Sequence, residues 1–287
     1  MKYYKLNEST LAKFQEHLMY QEKSGNTIQK YSHDIRTFLS FLNGRLACKE
    51  IALAYKEYLT ELYAVASVNS MLAALNTFME FVGFNDCKVK PLKVQRRLFA
   101  HSDRQLTRES YEKMVALARR EGKDRLCMLM QTLCNTGIRI SELPYITVDA
   151  VNRGRVTVNC KGKIREIFIH KQLQLLLIDY IQRQKIVKGS VFVTRNGKPI
   201  HRCNVWKEMQ SLSFRAHVKK EKVFPHNLRH LFAYTYYKAK KDIAKLADIL
   251  GHSNIQTTRI YTMTSGIEHR RELAGLGLLI TDNLFTT

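Results

Sequence analysis

The sequence predicts a mainly α fold with a small β-sheet, an α+β protein with a helical bundle at the N-terminus and a mixed, mostly helical region after it. Apolar residues recur at helical spacing through most of the chain, as Leu11, Phe14 and Leu18 do near its start. Strand-like alternation is confined to short stretches, most clearly VNRGRVTVN and REIFIH on either side of CKGKI. A basic stretch with Pro91 interrupts the helical pattern between the two regions.

Four helical segments in the N-terminal region predict a four-helix bundle. Their predicted positions are residues 8–23, 27–42, 50–63 and a helix that starts near Ser67. The basic segment that follows, KVKPLKVQRRLFAHSDR, suits a linker. We therefore assign residues 1–86 to a helical domain, residues 87–105 to a basic linker and residues 106–287 to a second domain.

The second domain is predicted to combine helices with short strands. In order, we expect a helix from Thr107, a helix at 123–135, a turn at Gly137, a helix from Ile138 to Leu143, the hairpin around CKGKI, a helix at 171–184, two short strands in SVFVTRNGKPI, and helices at 203–217, 241–250 and 254–261. Arg139 is expected at a helix N-terminus, where free backbone N–H groups favour an anion. In a helix after Pro225, His226 and Arg229 would share one face.

The charge of the chain points to a polyanionic partner. The 287 residues include 47 Lys and Arg against 25 Asp and Glu, a formal net charge of +22. Most of this excess, +17, lies in residues 106–287. Nucleic acid is the first candidate for such a surface, and an anionic membrane surface is the second.

The cysteines and the N-terminus favour a cytoplasmic protein without a metal site. None of the six cysteines forms a C-x-x-C pair, and their scatter suits free thiols in a reducing compartment. The opening MKYYKLNEST lacks the apolar region of a signal peptide. We expect no metal and no membrane association, because no apolar stretch reaches the roughly 18 residues that a spanning helix requires.

The segment from His226 to Thr262 concentrates residue types that act on phosphate. It contains HNLRH, a Gly-His pair after an amphipathic run, and Tyr261 nine residues after His252. Arg presents a planar fork of donors that fits phosphate oxygens, and His exchanges protons near neutral pH. A Tyr hydroxyl can form a covalent intermediate. This ordered set predicts phosphoryl-transfer chemistry.

The chain resembles the tyrosine site-specific recombinases, also called phage integrases. The resemblance rests on four stretches in order, TGIRISEL, CKGKIRE, HNLRH and LGHSNIQTTRIYT, which span roughly the C-terminal two thirds of the chain. The N-terminal third fits by pattern as a helical, SAM-like core-binding domain. One departure is Cys160, where many relatives have Gly before the Lys of the hairpin.

The resemblance implies a catalytic set and a mechanism. The implied catalytic residues are Arg139, Lys161, His226, Arg229, His252 and Tyr261. Tyr261 would form a 3′-phosphotyrosine, the arginines would hold the phosphate oxygens, and Lys161 would protonate the departing 5′-oxygen. Lys163 remains open as a substitute for Lys161. Glu142, one helical turn from Arg139, could hold its guanidinium.

Further residues are candidates for DNA contacts outside the catalytic set. They are Lys30, Arg36, Asn69, Arg96, Arg97 and Lys163. The alternative for those in the bundle is an ordinary solvated surface, since residues 1–85 carry a net charge of only +1.

The expected function is recombination of double-stranded DNA sites by a tetramer assembled on DNA, without metal, ATP or another cofactor. Integration or excision of a mobile element is preferred, and an accessory directionality protein is a possible partner. Resolution of chromosome dimers and a type IB topoisomerase are the alternatives, and a non-catalytic DNA-binding protein is a more distant one. We expect the protein in the cytoplasm, at the nucleoid when bound to DNA.

Overall fold

A computed structural model describes residues 4–94, 105–160, 163–261 and 274–276. The chain divides into two compact units, residues 1–96 and 97–287. Helices dominate both, and the described residues contain one two-stranded sheet. No helix in these ranges combines the length and the apolarity that crossing a membrane requires.

The first unit is a bundle of four helices. They are α1 (Glu8–Tyr20), α2 (Gly25–Leu42), α3 (Lys49–Leu62) and α4 (Val65–Phe81), followed by a 3-10 turn at Asn85–Cys87. The side chain of Ser24 accepts from the backbone N–H of Thr27 and caps α2. Phe14 and Phe78 meet edge to face in the core, with ring centroids 5.1 Å apart. The predicted bundle is thus confirmed.

The chain stays packed on the bundle after α4. Val89 is 3% exposed and belongs to the bundle core. Two asparagines, two helical turns apart on α4, hold this segment. The amide of Asn76 donates to Val89 O and accepts from Val89 N, both at 2.8 Å. Asn69 does the same with Leu92, at 2.9 and 2.7 Å. Residues 89–92 therefore run alongside α4, and the two asparagine side chains hold their backbone.

The second unit contains seven α-helices and a hairpin among its described residues. The elements are α5 (Arg108–Arg120), α6 (Asp124–Thr136), a 3-10 helix (Ile140–Tyr145), α7 (Val148–Arg153), β1 (Arg155–Cys160), β2 (Lys163–Phe168), α8 (Lys171–Arg183), α9 (Arg202–Arg215), a 3-10 turn (Lys220–Lys222), α10 (Pro225–Lys240), α11 (Ile243–Leu250) and 3-10 turns at Ile255–Thr257 and Arg259–Tyr261. The two strands pair antiparallel, from Arg155 opposite Phe168 to Cys160 opposite Lys163. The predicted hairpin is confirmed.

Two predicted elements are wrong. The stretch SVFVTRNGKPI forms no strand pair, only isolated bridges such as Val193 with Pro199. Pro199 has no N–H to extend a ladder, and the N–H of Val191 bonds instead to Ile146 O. Residues 254–261 do not form one helix either, but two 3-10 turns.

Two other helices start later than predicted. The helix expected from Ile138 is a 3-10 helix from Ile140 with Pro144 inside it. The helix expected from Lys241 begins at Ile243, because Lys241 takes a left-handed φ of 56° that ends α10. The side chain of Asp242 then caps α11 by accepting from Lys245 N.

Candidate active site

Arg139 lies at the start of the 3-10 helix that follows α6. Its backbone N–H donates to Glu142 Oε2 and its Nη1 donates to Oε1, both at 2.9 Å. The Glu142 side chain is 3% exposed, whereas that of Arg139 is 38% exposed. A buried carboxylate thus orients a guanidinium that still faces solvent, which confirms the support predicted for Glu142.

A second arginine, Arg165 on β2, contacts the same carboxylate. Its Nη2 pairs with Glu142 Oε2, and its side chain is only 13% exposed. Burial acts to raise the pKa of Glu142, but hydrogen bonds from Arg139 and the charge of Arg165 outweigh it and leave the pKa lowered. Glu142 is therefore ionised at neutral pH and joins the hairpin to the Arg139 turn.

Arg229 is the most deeply buried charged residue of the site. It lies on α10, is 1% exposed, and donates through Nη1 to Gly137 O at 2.5 Å. Burial and the nearby charge of Arg139 lower the pKa of its guanidinium to about 10, which leaves it charged at pH 7. Its Nε is buried without a hydrogen-bond partner.

The three arginines meet at the C-terminal end of α11. Three consecutive carbonyls there each accept from a different one. Arg165 Nη1 bonds to the carbonyl of residue 249 at 2.6 Å, Arg229 Nη2 to that of residue 250 at 2.7 Å, and Arg139 Nη2 to that of residue 251 at 3.1 Å. The last carbonyls of a helix lack partners within the helix and carry the negative end of its dipole. This helix end therefore gathers three positive charges from distant parts of the chain.

Gly251 makes this arrangement possible. It ends α11 with a left-handed φ of 63°. A Cβ at this position would lie 2.5 Å from Arg165 Cδ and 2.9 Å from its Nε. The absent side chain leaves the space through which the Arg165 side chain passes.

Tyr261 is buried among aromatic rings beside the arginines. It is 3% exposed and packs with Leu246 and Leu250 in a small core shared by α10 and α11. Its ring meets His230 edge to face at 4.7 Å and stacks with His252 at 6.1 Å. A cavity of about 660 Å³ opens next to it, lined chiefly by α10 and the residues around the start of α5.

Three histidines surround this tyrosine and the arginines. His226 and His230, four residues apart on α10, meet edge to face at 4.7 Å. Desolvation, followed by neighbouring positive charges, lowers the pKa of His226 and lowers those of His230 and His252 to about 4. After desolvation, the second-largest cause of the lowered pKa is repulsion from Arg229 for His226 and His252. For His230 it is repulsion from His226 in its protonated form. All three rings are therefore neutral at pH 7.

The structure brings together five of the six predicted catalytic residues. Arg139, His226, Arg229, His252 and Tyr261 all lie around the end of α11 and the start of α10. The sixth, Lys161, lies outside the described residues. The side chain of its alternative, Lys163, does too, although Lys163 begins β2.

The predicted DNA-contact residues have mixed surroundings. Lys30 pairs with Asp34, and Arg36 lies 3.9 Å from Glu8, while both basic side chains remain about half exposed. Asn69 uses both ends of its amide on the backbone of residue 92. Arg96 and Arg97 lie outside the described residues.

Sequence reasoning missed Arg165, His230 and Thr258. For Arg165 the sequence offers no clear signal, because apolar residues lie on both faces of the strand. Only the structure shows that its face is the buried one, with Ile167 4% exposed and Phe168 72% exposed. For His230 the four-residue spacing from His226 was readable.

Two protein-family models match the chain. The catalytic-domain model described as "Phage integrase family" matches residues 104–266, more than half of the chain. The model described as "Phage integrase, N-terminal SAM-like domain" matches residues 11–82.

The chain belongs to the phage integrase family. Its relatives in this family are tyrosine recombinases. It is 30% identical to tyrosine recombinase XerA of Thermococcus kodakarensis over 275 residues, which cover 91% of this chain and 93% of that protein. It is 29% identical to XerA of Pyrococcus furiosus, with 93% of each chain covered. The resemblance seen in the motifs is thus confirmed over nearly the whole length.

Solved structures of phage integrase family members share the fold. One is the XerH site-specific recombinase bound to its difH substrate in a pre-cleavage complex, with a TM-score of 0.68 and 17% identity over 94% of this chain and 85% of that one. Another is a lambda integrase dimer bound to a COC′ core site, with a TM-score of 0.74 and 14% identity over 99% of this chain and 81% of that one. The predicted fold class, a helical SAM-like unit followed by a mostly helical unit with a small sheet, is confirmed.

Proposed function

We propose that this chain recombines specific DNA sites by cutting and rejoining strands through a 3′-phosphotyrosine at Tyr261, without metal or ATP. The observation that carries the assignment of residues is the convergence at the end of α11. Arg139 and Arg229 bind the adjacent carbonyls of residues 251 and 250, and His252 follows directly, with its ring stacked on that of Tyr261. Two guanidinium groups, an imidazole and a phenol that lie this close together can all act on one phosphodiester.

The arginines supply charge stabilisation. In the transition state, the non-bridging oxygens of the phosphate gain negative charge as the phosphorus becomes pentacoordinate. Positioned guanidinium groups stabilise this charge, and burial strengthens the interaction. Arg229, held by two carbonyls and excluded from water, is already in place before DNA binds. Arg139 is more exposed and completes the site.

Proton transfers accompany the exchange of bonds. The Tyr261 oxygen bonds to phosphorus, the bond to the 5′-oxygen breaks, and no water is consumed. His226 is neutral at pH 7, so it can accept the phenolic proton. A lysine of the hairpin, Lys161 or its alternative Lys163, donates a proton to the departing 5′-oxygen. Attack by a 5′-hydroxyl of the partner strand then reverses these steps, so the energy of the broken bond is retained.

The DNA partner and the assembly follow from the charge and from the family. The relatives named above include recombinases solved on DNA, one of them as a dimer. Exchange of two strand pairs requires four active sites, so we propose a tetramer on double-stranded DNA. Lys30, Arg36, Arg96 and Arg97 are the proposed phosphate contacts outside the catalytic set. For Asn69 we favour a structural role, because its amide is already hydrogen-bonded.

Covalent trapping tests the proposal. A duplex that carries the DNA flanking the encoding gene is nicked near the cleavage point, so that the short fragment diffuses away after cleavage. We expect a covalent protein–DNA band on a denaturing gel with EDTA present. Tyr261→Phe should bind the same duplex with the same salt dependence but give no band. A band from this variant would remove Tyr261 as the nucleophile, and a band only with added metal would contradict the metal-free reaction.

A modified leaving group separates the two lysines. Sulfur in place of the bridging 5′-oxygen leaves without a proton, so it restores cleavage to a variant that lacks only the general acid. We expect Lys161→Ala to be slow on normal DNA and near wild type on the sulfur-containing duplex. Lys163→Ala is the matched control. It should cleave both substrates more slowly, and only to the extent that it binds DNA more weakly. The reverse pattern would assign Lys163.

The substrate in the cell is proposed to be a mobile element that integrates or excises. A plasmid assay with two copies of the element junction should yield recombinants that join the two sites. Recombination only at a chromosomal site near the replication terminus would instead support dimer resolution. Relaxation of supercoils without joining of sites would support a topoisomerase.

A further inference from the structure

The two ring nitrogens of His252 have different partners, and these fix its tautomer. Nε2 lies 3.0 Å from Arg229 Nη2, and Nδ1 lies 2.9 Å from Thr258 Oγ1. A guanidinium only donates, so Nε2 must accept. In a neutral ring the other nitrogen carries the proton. His252 therefore donates from Nδ1 to the Thr258 hydroxyl in the DNA-free protein.

The resemblance to the tyrosine recombinases implies that His252 donates a hydrogen bond to a phosphate oxygen, and this tautomer does not suit that role. A residue that donates to a phosphate oxygen from the side of Arg229 needs its proton on Nε2. Two routes lead there. The ring can take up a second proton, or the single proton can move from Nδ1 to Nε2. The second route needs a partner at Nδ1 that changes from acceptor to donor.

Thr258 has the two properties that such a partner needs. It is fully buried, so water does not compete for its hydroxyl. A hydroxyl can both donate and accept, which a carboxylate or a backbone carbonyl cannot. Its carbonyl also accepts from the backbone N–H of Tyr261 at 3.0 Å. One residue thus contacts both the imidazole and the segment of the proposed nucleophile.

We propose that Thr258 is a positioning residue that sets the tautomer of His252, accepting from Nδ1 in the DNA-free protein and donating to Nδ1 when a DNA phosphate is bound. This rests on the function proposed above. On binding, a phosphate oxygen replaces Nε2 as the acceptor beside Arg229 Nη2 while the guanidinium stays on its two carbonyls. The Thr258 hydroxyl rotates, and Nε2–H points at a non-bridging oxygen. The His252 ring is only partly buried, so Nε2 gains a proton from solvent and Nδ1 releases one, and the ring carries one proton in both end states.

The charges around His252 oppose the alternative of a doubly protonated ring. Arg229, Arg139 and Arg165 all face it from the neighbouring elements, and His226 adds a titratable group. The ring of Tyr261 lies nearly parallel to that of His252, with the centroids 6.1 Å apart. Desolvation, followed by the repulsion from these charges, lowers the pKa of His252 to about 4. A bound phosphate would offset only part of the repulsion that a doubly protonated ring meets. Moving one proton from Nδ1 to Nε2 adds no charge and meets no such repulsion.

Nitrogen NMR of histidine measures the tautomer directly. With ¹⁵N-labelled histidine, the two-bond correlations of a ring distinguish a proton on Nδ1, on Nε2 or on both. We expect His252 to show Nδ1–H in the DNA-free protein at pH 7.5. In Tyr261→Phe bound to the duplex that wild type cleaves, we expect Nε2–H. An imidazolium in the complex, or Nδ1–H in both states, would overturn the proposal.

Two variants of Thr258 provide a functional test. Thr258→Ser keeps the hydroxyl and should cleave within about 3-fold of wild type. Thr258→Val keeps the shape and should cleave about 10- to 100-fold more slowly, as when the partner that orients a metal-bound histidine is lost. Its residual cleavage should rise relative to wild type as the pH falls towards 5, because a doubly protonated ring donates from Nε2 without Thr258. A loss with unchanged pH profile would mean a structural role only.

The outcomes separate this inference from the proposed function. Absence of the covalent band in wild type would contradict the function itself, and the spectrum of the DNA-free protein would still test the resting tautomer. A band in wild type together with equal cleavage by both Thr258 variants would contradict only the role of Thr258.

Discussion

Arg165, on the second strand of the hairpin, forms a salt bridge with Glu142 in the turn that orients Arg139. The hairpin that bears the candidate general acid is thereby joined to the candidate phosphate-binding arginine. Both side chains of the bridge are largely buried, at 13% and 3% exposure. Unlike an exposed pair, such a bridge cannot lose one partner without leaving a desolvated charge.

Arg165→Gln should therefore weaken both stability and cleavage. We expect the free energy of unfolding in urea to fall by about 2–3 kcal/mol, since Glu142 keeps only Arg139 as a charged partner. Cleavage of the trapped duplex should slow more than binding weakens. The matched control is Arg155→Gln on the same hairpin, whose pair with Glu166 is about half exposed on both sides. It should cost about 0–1 kcal/mol, and equal losses for the two variants would contradict a special role for Arg165.

Gly251→Ala should displace Arg165 from its path. The new Cβ would lie 2.5 Å from Arg165 Cδ, in addition to the strain of a left-handed alanine. Gly122→Ala isolates the strain, because its φ of 66° is nearly the same and nothing lies within 4 Å of the added carbon. We expect about 1 kcal/mol of destabilisation for Gly122→Ala. Gly251→Ala should lose more and should also lose covalent trapping, and cleavage at the wild-type rate would contradict the prediction.

Stability should fall as the pH is lowered from about 6.5 to 4. The folded pKa values of His230 and His252 are about 4, below the value near 6.5 of an unfolded histidine. The unfolded chain therefore binds more protons than the folded protein in this window, so the free energy of unfolding decreases as the pH falls. The two histidines together account for a decrease on the order of a few kcal/mol. Urea unfolding at several pH values measures the slope of the unfolding free energy against pH.

His230→Phe tests the contribution of one ring. It keeps an aromatic contact with Tyr261 but removes a titrating group, so the slope between pH 6.5 and 4 should decrease by up to about one proton. The two proteins are compared at pH 8 to correct for packing changes. A slope equal to that of wild type would show that His230 does not titrate differently in the two states.

Asn69→Ala should release the segment after the bundle. Both hydrogen bonds to the backbone of residue 92 are lost, so trypsin should cleave sooner after Lys93. Thr77→Ala on the same helix is the control, since its hydroxyl bonds only to the carbonyl of residue 73 in its own helix. If Asn69→Ala weakens DNA binding without changing the digestion rate, the direct DNA contact predicted from the sequence would be favoured over the structural role.

Much of the fold was readable because its signals are local. Helical spacing gave the bundle and most helices of the second unit, and alternation gave the hairpin. The two failures have local causes too. At Pro199 the lack of an N–H prevents a second strand. Between Asn254 and Tyr261 the hydrogen bonds close three-residue turns, as from Thr258 N to Ile255 O, so the α-helical period is absent.

The candidate site was predicted only in part. Motifs named the candidate catalytic residues, but the meeting of three arginines on consecutive carbonyls joins positions up to 112 residues apart in sequence. No local pattern encodes such contacts. The tautomer of His252 likewise depends on Arg229 and Thr258, which the sequence places 23 and 6 residues away. These features follow from tertiary packing alone.

The burial of Tyr261 bears on the safety of carrying such an enzyme among chromosomal DNA. A strongly basic protein binds unrelated duplexes far more often than its own site, because the phosphates of every sequence attract it equally. With 3% of its surface exposed, the phenol presents almost no target to those phosphates. We therefore expect random encounters to leave the genome uncut, with damage avoided at the step of exposing the proposed nucleophile rather than at the step of binding.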